Sequence, residues 1–459
     1  MPLWIGAATA FVLLLFAQGT ITGIDGDSQF ATAKAIVDRH ALAIGPNLQS
    51  TQGLHGRWYS WYGIGFGVIT AVPYALGKLA ATVIGHANEV ELFATSSLIP
   101  ILCGLIVIAM IRLARTLGAS LRSSVIVALA VMFGTFFMPY SKEYLTEPAV
   151  ILSLLVCYDE ALHDRQVTSG TALAVACLIR QQTFVMLPVL AFIWWRRGGI
   201  AAVIRGAVPV AVAGAVTAWV NQARFGSVTN FGYAGQTFRG NVASNSWRLL
   251  VSPYKGVVIF APIIVLVPFA TAALWRARPD GVILLAAGFA ITFALDAAWW
   301  DWKGGWCWGP RLLLPGLVPL FAVLGPWIDR SARRLRLLGA LALAGFVISG
   351  PVMVTPMEAQ LQYAHPSGPQ IVRQFRLVPT IARYTLHHAK KEQTHILGVS
   401  QRFIDVWQVG LIRSLGKAGG AVALAGTVVF LVALALALRR AATLWPASAG
   451  AAGRGRRAG

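Results

Sequence analysis

The sequence predicts an all-α polytopic membrane protein with about 12 transmembrane helices, and three observations predict it. Hydrophobic residues make up 57% of the chain and charged residues 12%, where an average protein carries about 25% charged residues. The mean hydropathy of +0.66 points the same way. Apolar runs of roughly 18 residues or more recur along the whole length. Each is long enough to cross about 30 Å of hydrocarbon as a helix, which satisfies every backbone polar group internally.

Charge then orders the runs. A formal charge of +21, from 38 basic against 17 acidic residues, would suit a nucleic-acid binder, but no basic patch interleaved with aromatics lies on a soluble domain. The excess instead sits in short loops and the tail, as the positive-inside bias requires. With Arg112 to Arg122, Arg165, Arg196 to Arg205, Arg276 with Arg278, Arg330 to Arg336 and Arg439 with Arg440 cytoplasmic, spans fall near 3–20, 92–112, 122–140, 147–163, 170–181, 182–195, 205–223, 254–275, 280–298, 311–328, 336–355 and 418–438. Both ends are then cytoplasmic. The opening Met1-Pro2-Leu3-Trp4 has no basic region, and the run to Phe16 has no small-residue cleavage site, so it reads as a retained span.

One run breaks the alternation. Tyr62 to Ile84 is long enough to cross, yet as a span it would put Arg112, Arg115 and Arg122 outside and invert every later loop. Its glycines, Pro73 and Lys78 suit a broken helix lying in or dipping into the outer interface, so residues 21–91 read as one outer loop with interfacial helices. The divisions that follow are 1–355, a transmembrane module; 356–417, an outer polar cap; 418–438, the last span; and 439–459, a disordered basic cytoplasmic tail. Cys103, Cys157 and Cys177 lie in apolar runs and Cys307 in a polar loop, which gives neither a disulfide framework nor metal-ligand spacing.

Nearly all the informative polar residues fall on the outer side. Asp25 and Asp27 follow the first span; a carboxylate there can act as a general base or cation ligand at the lipid–water boundary, or cap the next helix. Glu143 and Glu147 stand at a span boundary before Pro148, where Glu147 also suits the positive end of a helix. Arg180, in a short hairpin between apolar runs, needs a partner: either an internal ion pair or a phosphate to clamp. Lys255 beside Gly256 either snorkels or reaches an anion. The segment Trp299 to Arg311 carries five tryptophans, a Gly-Gly pair and Asp301. That is more than an aromatic belt requires, and it suits rings stacking on a sugar or isoprenoid while Arg311 reaches an anion.

These segments together resemble the GT-C class of membrane glycosyltransferases, within the bacterial group similar to protein O-mannosyltransferases and lipid A aminoarabinose transferases. The resemblance covers most of residues 1–330. It rests on Asp25-Gly26-Asp27 through Ala35-Ile36-Val37-Asp38, Gly56-Arg57-Trp58-Tyr59-Ser60-Trp61-Tyr62-Gly63-Ile64-Gly65, Val72-Pro73-Tyr74-Ala75-Leu76-Gly77, Leu178-Ile179-Arg180-Gln181-Gln182-Thr183, Ser252-Pro253-Tyr254-Lys255-Gly256, and Gly304-Gly305-Trp306 with Gly309-Pro310-Arg311-Leu312-Leu313-Leu314-Pro315. It implies a GT-C-like fold whose interfacial helices include Tyr59 to Tyr62, and an enzyme taking a sugar from a polyprenyl-phosphate carrier on the outer face. A first-loop Asp would be the base, Asp25 or Asp27, with the spacing to Phe30 and Val37 favouring Asp25.

The residues suit that chemistry independently. Displacing a polyprenyl phosphate needs a base for the acceptor hydroxyl and cations for the leaving phosphate; an Asp supplies the first, and Arg180, Lys255 and Arg311 the second. Glu143, Glu147, His55, Tyr59, Trp302 and Trp306 are the candidates for substrate contact. No Gly-rich nucleotide loop is present, which disfavours a nucleotide-sugar donor. A transporter or flippase of lipid-linked sugars is the alternative, against which stand the missing half-repeat and the lack of mid-span charges. A scaffold in envelope assembly would leave the polar clusters unexplained. The expected partners are a polyprenyl-phosphate-linked sugar donor, a lipid, glycan or protein acceptor and membrane lipid, with no nucleic acid. The expected location is the bacterial plasma (inner) membrane, multi-pass, with the active site facing outside. No residue set marks a metal site, and a divalent cation is the one possible cofactor.

Overall fold

The computed structural model of the chain describes residues 1–233, 235–305, 307–355, 372, 375, 378–383, 395–396, 399–400 and 406–445. The described residues form a helical bundle. In chain order its helices are α1 (Pro2–Leu15), α2 (Ile24–Arg39), α3 (Ile64–Ile84), α4 (Ala87–Ser96), α5 (Leu98–Thr116), α6 (Leu121–Phe133), α7 (Glu147–Leu162), α8 (Gln166–Ile179) and α9 (Leu187–Phe225). There follow α10 (Val242–Val251), α11 (Val257–Phe260), α12 (Val267–Leu274), α13 (Pro279–Ala298), α14 (Leu314–Leu320), α15 (Leu324–Ile328), α16 (Ala332–Ser349) and α17 (Trp407–Thr443). Seven helical segments among the described residues are long and apolar enough to cross a membrane by length and composition, α3, the run expected to lie in the interface, among them, and the predicted spans fall on helical segments, some of them, as over 254–275 and 311–328, strings of short helices. The all-α polytopic reading holds.

The core is built around α5 and α7. Helix α5 is buried on most of its circumference and packs against α1, α6, α7 and α15, while α7 packs against α5, α8 and α14. The predicted division of 182–195 from 205–223 is a break at Gly198 and Gly199 inside α9. Gly199 has φ 65° and ψ −162°, a conformation glycine adopts without steric cost. At the other end of the sequence α17 lies along α1. The Trp407 amide donates to the Ala17 carbonyl at 2.8 Å, the Trp407 indole N–H to the Leu14 carbonyl at 3.0 Å and the Gln408 amide to the Leu15 carbonyl at 3.0 Å. Leu14 and Leu15 belong to the last turn of α1, where a helix leaves its carbonyls open, and Ala17 lies just past its end.

The first outer loop departs from expectation in two places. Tyr59 lies in a strand rather than an interfacial helix: β1 (Ser50–Gln52) pairs antiparallel with β2 (Trp58–Ser60). Gly56 closes the turn with φ 69°. The buried Arg224 guanidinium holds the end of this hairpin, donating to the carbonyls of Ser60 at 3.1 Å and Tyr62 at 3.2 Å. Second, neither aspartate caps α2. Gly23 occupies the N-cap position with φ 80°, and Asp25 and Asp27 lie in the first turn, where a negative charge is favoured by the helix dipole.

Helix α3 is not broken as expected but continuous through Pro73. It buries Phe66, Gly67, Thr70, Tyr74 and Gly77 and exposes Val68, Val72, Leu76, Leu79 and Val83. The buried face packs on α2 and α4, and Asp38 on α2 accepts from Tyr74 at 2.9 Å and Lys78 at 2.6 Å. The expected polar cap over 356–417 lies outside the described residues except for short pieces and the start of α17. The expected tail does so beyond residue 445.

Candidate active site

A cavity of about 1320 Å³ opens between the start of α2, the residues after β2, the turn between α8 and α9, the C-terminal half of α13 and the segment leading to α14. Val150, Leu154, Phe184, Val185, Met186, Leu295 and Pro315 line its apolar part; Asp25, Tyr62, Glu143, Arg180, Tyr233 and Arg311 crowd its polar part.

The polar part is organised by Glu147, in the first turn of α7 and fully buried. One of its oxygens meets the Arg180 guanidinium at 2.9 Å and Arg311 Nε at 3.2 Å. Arg311 in turn holds Asp25 at 2.9 Å. Arg180, Glu147, Arg311 and Asp25 therefore form a chain of alternating charge whose sum is zero. The other Glu147 oxygen has no hydrogen-bond partner among the described residues.

Local structure explains how each charge arrives there. Arg180 is extended (φ −133°, ψ 108°) where α8 stops, which turns its side chain to the start of α7; Nε also donates to the Thr146 hydroxyl at 2.7 Å. Arg311 follows a segment pinned from below. The buried Lys255 ammonium donates to the Cys307 carbonyl at 2.6 Å, lies 2.9 Å from the Cys307 sulfur and reaches the Gly305 carbonyl at 3.4 Å. The Tyr140 hydroxyl donates to the Trp308 carbonyl at 2.7 Å. Beside Asp25, Tyr62 is held protonated: burial first, and then the Asp25 charge, push its hydroxyl well above the usual tyrosine value. Glu143 accepts from the Gln18 amide at 3.0 Å and the Thr22 hydroxyl at 3.4 Å.

Of the residues singled out from the sequence, Asp25, Glu143, Arg180 and Arg311 line this cavity, and Glu147 backs the two arginines. Asp27 is exposed and does not line it. Lys255 is neither snorkelling nor open to the cavity, since its ammonium is engaged by the 305–307 backbone. His55 is exposed on the hairpin turn, and Tyr59 packs edge-on against Phe225 with ring centres 5.8 Å apart. Trp302 packs under the Arg248 guanidinium at 5.7 Å. It is Trp299 and Trp300 of that segment that face the cavity. Trp306 lies outside the described residues. Among the described residues no group of three or more His, Cys, Asp or Glu is placed to hold a metal ion. Sequence reading missed Asp296, a buried cavity residue on α13; the available signal was a lone carboxylate inside an apolar run.

The architecture is the GT-C-like all-α membrane fold that the sequence resemblance implied. Two solved structures share it: ArnT from Cupriavidus metallidurans bound to undecaprenyl phosphate, with TM-score 0.55, 14% identity and coverage of 94% of this chain and 75% of that one, and the same protein in the apo state, with TM-score 0.53, 14% identity and coverage of 94% and 73%. No protein-family model matches the sequence, and no curated protein matches it.

Proposed function

We propose that the chain is a glycosyltransferase that moves a sugar from a polyprenyl-phosphate carrier to an acceptor hydroxyl at the outer face of a bacterial plasma membrane. The observation that carries this reading is the Arg180–Glu147–Arg311–Asp25 chain at the polar end of a large, mostly apolar cavity. A polyprenyl phosphate has the matching division, an anionic head on an apolar chain. The fold likeness to a protein solved with undecaprenyl phosphate supports the same reading. Every described residue lining the cavity falls within 1–355, the transmembrane module.

The ion pairs suggest how binding prepares the reaction. In the empty protein one Asp25 oxygen is occupied by Arg311 at 2.9 Å. An arriving phosphate competes for Arg311 and Arg180, which bind such oxygens bidentately, and Asp25 is released. The acceptor oxygen then attacks the anomeric carbon, Asp25 takes its proton, and the bond from that carbon to the phosphate oxygen breaks, the electron pair leaving with the polyprenyl phosphate. The arginines balance the charge gathering on the phosphate.

The test uses membranes from cells producing the chain, supplied with undecaprenyl phosphate carrying radiolabelled mannose, glucose or an amino-deoxy pentose. The expected result is label moving from carrier to an acceptor, and its loss in Asp25→Asn. Label that stays on the carrier while the carrier changes leaflet would replace this reading with a flippase.

A further inference from the structure

Helix α13 turns one face to the cavity, presenting Thr292, Leu295, Asp296 and Trp299. Asp296 is 3% exposed, and neither oxygen of its carboxyl has a hydrogen-bond partner among the described residues. The other acids lining the cavity are engaged: Asp25 by Arg311, Glu143 by Gln18 and Thr22, and Asp301 by the Gly305 amide at 2.9 Å. Asp296 also stands in the last turn of α13, where the negative end of the helix dipole opposes another negative charge. Buried polar groups are nearly always hydrogen-bonded, and this one is unsatisfied twice over, by burial and by position. A residue so costly to the empty protein has its partner in a ligand.

Resting on the reading above, we infer that Asp296 recognises the sugar, by accepting a hydrogen bond from a hydroxyl or amino group on the ring. The other parts of the donor do not fit. A prenyl chain carries no hydrogen-bonding group, and the phosphate has Arg180 and Arg311 in the same cavity to meet it. Trp299 and Trp300, on the segment following Asp296, also line the cavity, and an aromatic face beside a carboxylate is a surface suited to a polyhydroxylated ring. Asp296 is thus a specificity-determining residue, distinct from the base and from the arginines.

The experiment compares the purified wild type with Asp296→Ala and Asp296→Asn. Affinities are measured for undecaprenyl phosphate alone and for undecaprenyl phosphate carrying mannose, glucose or an amino-deoxy pentose. Wild type is expected to bind at least one sugar-bearing donor more tightly than the bare carrier. Asp296→Ala should lose about 10- to 100-fold of that increment, the range for a hydrogen bond to a charged group, while binding bare undecaprenyl phosphate as before. If Asp296→Asn keeps most of the increment, the group read is a hydroxyl; if it loses the increment as Ala does, the group is a cationic amine. Neither variant should melt below wild type, since each removes a buried carboxyl that has no hydrogen-bond partner among the described residues. A sugar increment intact in Asp296→Ala, absent from wild type with every donor, or lost only together with a lowered melting temperature overturns the inference. Failure of wild type to bind undecaprenyl phosphate is instead a failure of the parent reading, seen before any variant is made.

Discussion

Helix α7 carries acidic residues at both of its ends, and the two ends treat them differently. At its C-terminal end Asp159 and Glu160 meet Arg112 at 3.0 Å, and Arg165 meets Glu160 at 3.3 Å. Those arginine side chains are 53% and 65% exposed, so water reaches the cationic partner of each pair, while the carboxylates of Asp159 and Glu160 are buried at 4% and 6%. At its N-terminal end Glu147 is 0% exposed and Arg180 8%, and the chain continues inward through Arg311 to Asp25. Exposed pairs contribute little and cost little; buried pairs carry a desolvation penalty that their attraction need not repay. The first end is where the positive-inside rule places a cytoplasmic anchor. The second keeps charges away from water for a purpose other than stability, and Asp25 and the two arginines are where that purpose is to be sought.

The test with the largest expected contrast asks whether the two ends lie on opposite sides. Single cysteines replacing Arg57 and Asn88, which flank α3, should both react with an impermeant thiol reagent in intact cells, and one replacing Arg122 only after permeabilisation. The four native cysteines are buried, which keeps the background low. Reaction of only one of the first pair would make α3 a span and reverse the comparison.

Next comes the base. Asp25→Asn should lower sugar transfer by about 10²–10⁴-fold, the usual contribution of a general base, whereas Asp27→Asn, exposed and outside the cavity, should transfer close to the parental rate. The two rates reversed would move the base to Asp27. A smaller effect is expected on stability. Glu147→Gln leaves two buried guanidinium groups without their shared carboxylate and should cost about 3–5 kcal/mol, read as a lowered melting temperature in detergent. The smallest is Arg165→Ala at the other end of α7, where Glu160 keeps Arg112: a loss of no more than about 1 kcal/mol. Equal losses in the last two variants would erase the distinction between the ends.

The apolar helices were legible because each needs only a long apolar run, and the basic cluster Arg196 to Arg205 marked where α9 breaks at Gly198–Gly199. The resemblance leaned to Asp25, but the residues alone could not separate it from Asp27, because separation depends on where α2 begins. With Gly23 as the N-cap they sit two residues apart in the first turn, about 200° around the helix, and only one can face inward. Arg180 and Glu147 were each recognised as needing a partner, but sequence cannot show that they are each other's, or that Arg311 joins them. Lys255 misled because its basic charge suggested an anion, whereas backbone carbonyls that sequence does not advertise absorb it. Asp296 went unremarked because a single acid near the end of an apolar run reads as part of the following polar loop.

The contacts between Trp407 and Gln408 and the open carbonyls of α1 join positions 393 residues apart. A ribosome adding about 5–20 residues per second needs roughly 20–80 s to cover that distance. For all that time the first helix sits in the bilayer with its end unfinished, a few residues before Asp25. The contacts that close the end of α1 therefore form only once α17 has been made, so that loss of that helix, by truncation or a late stop codon, reaches back to the beginning of the molecule.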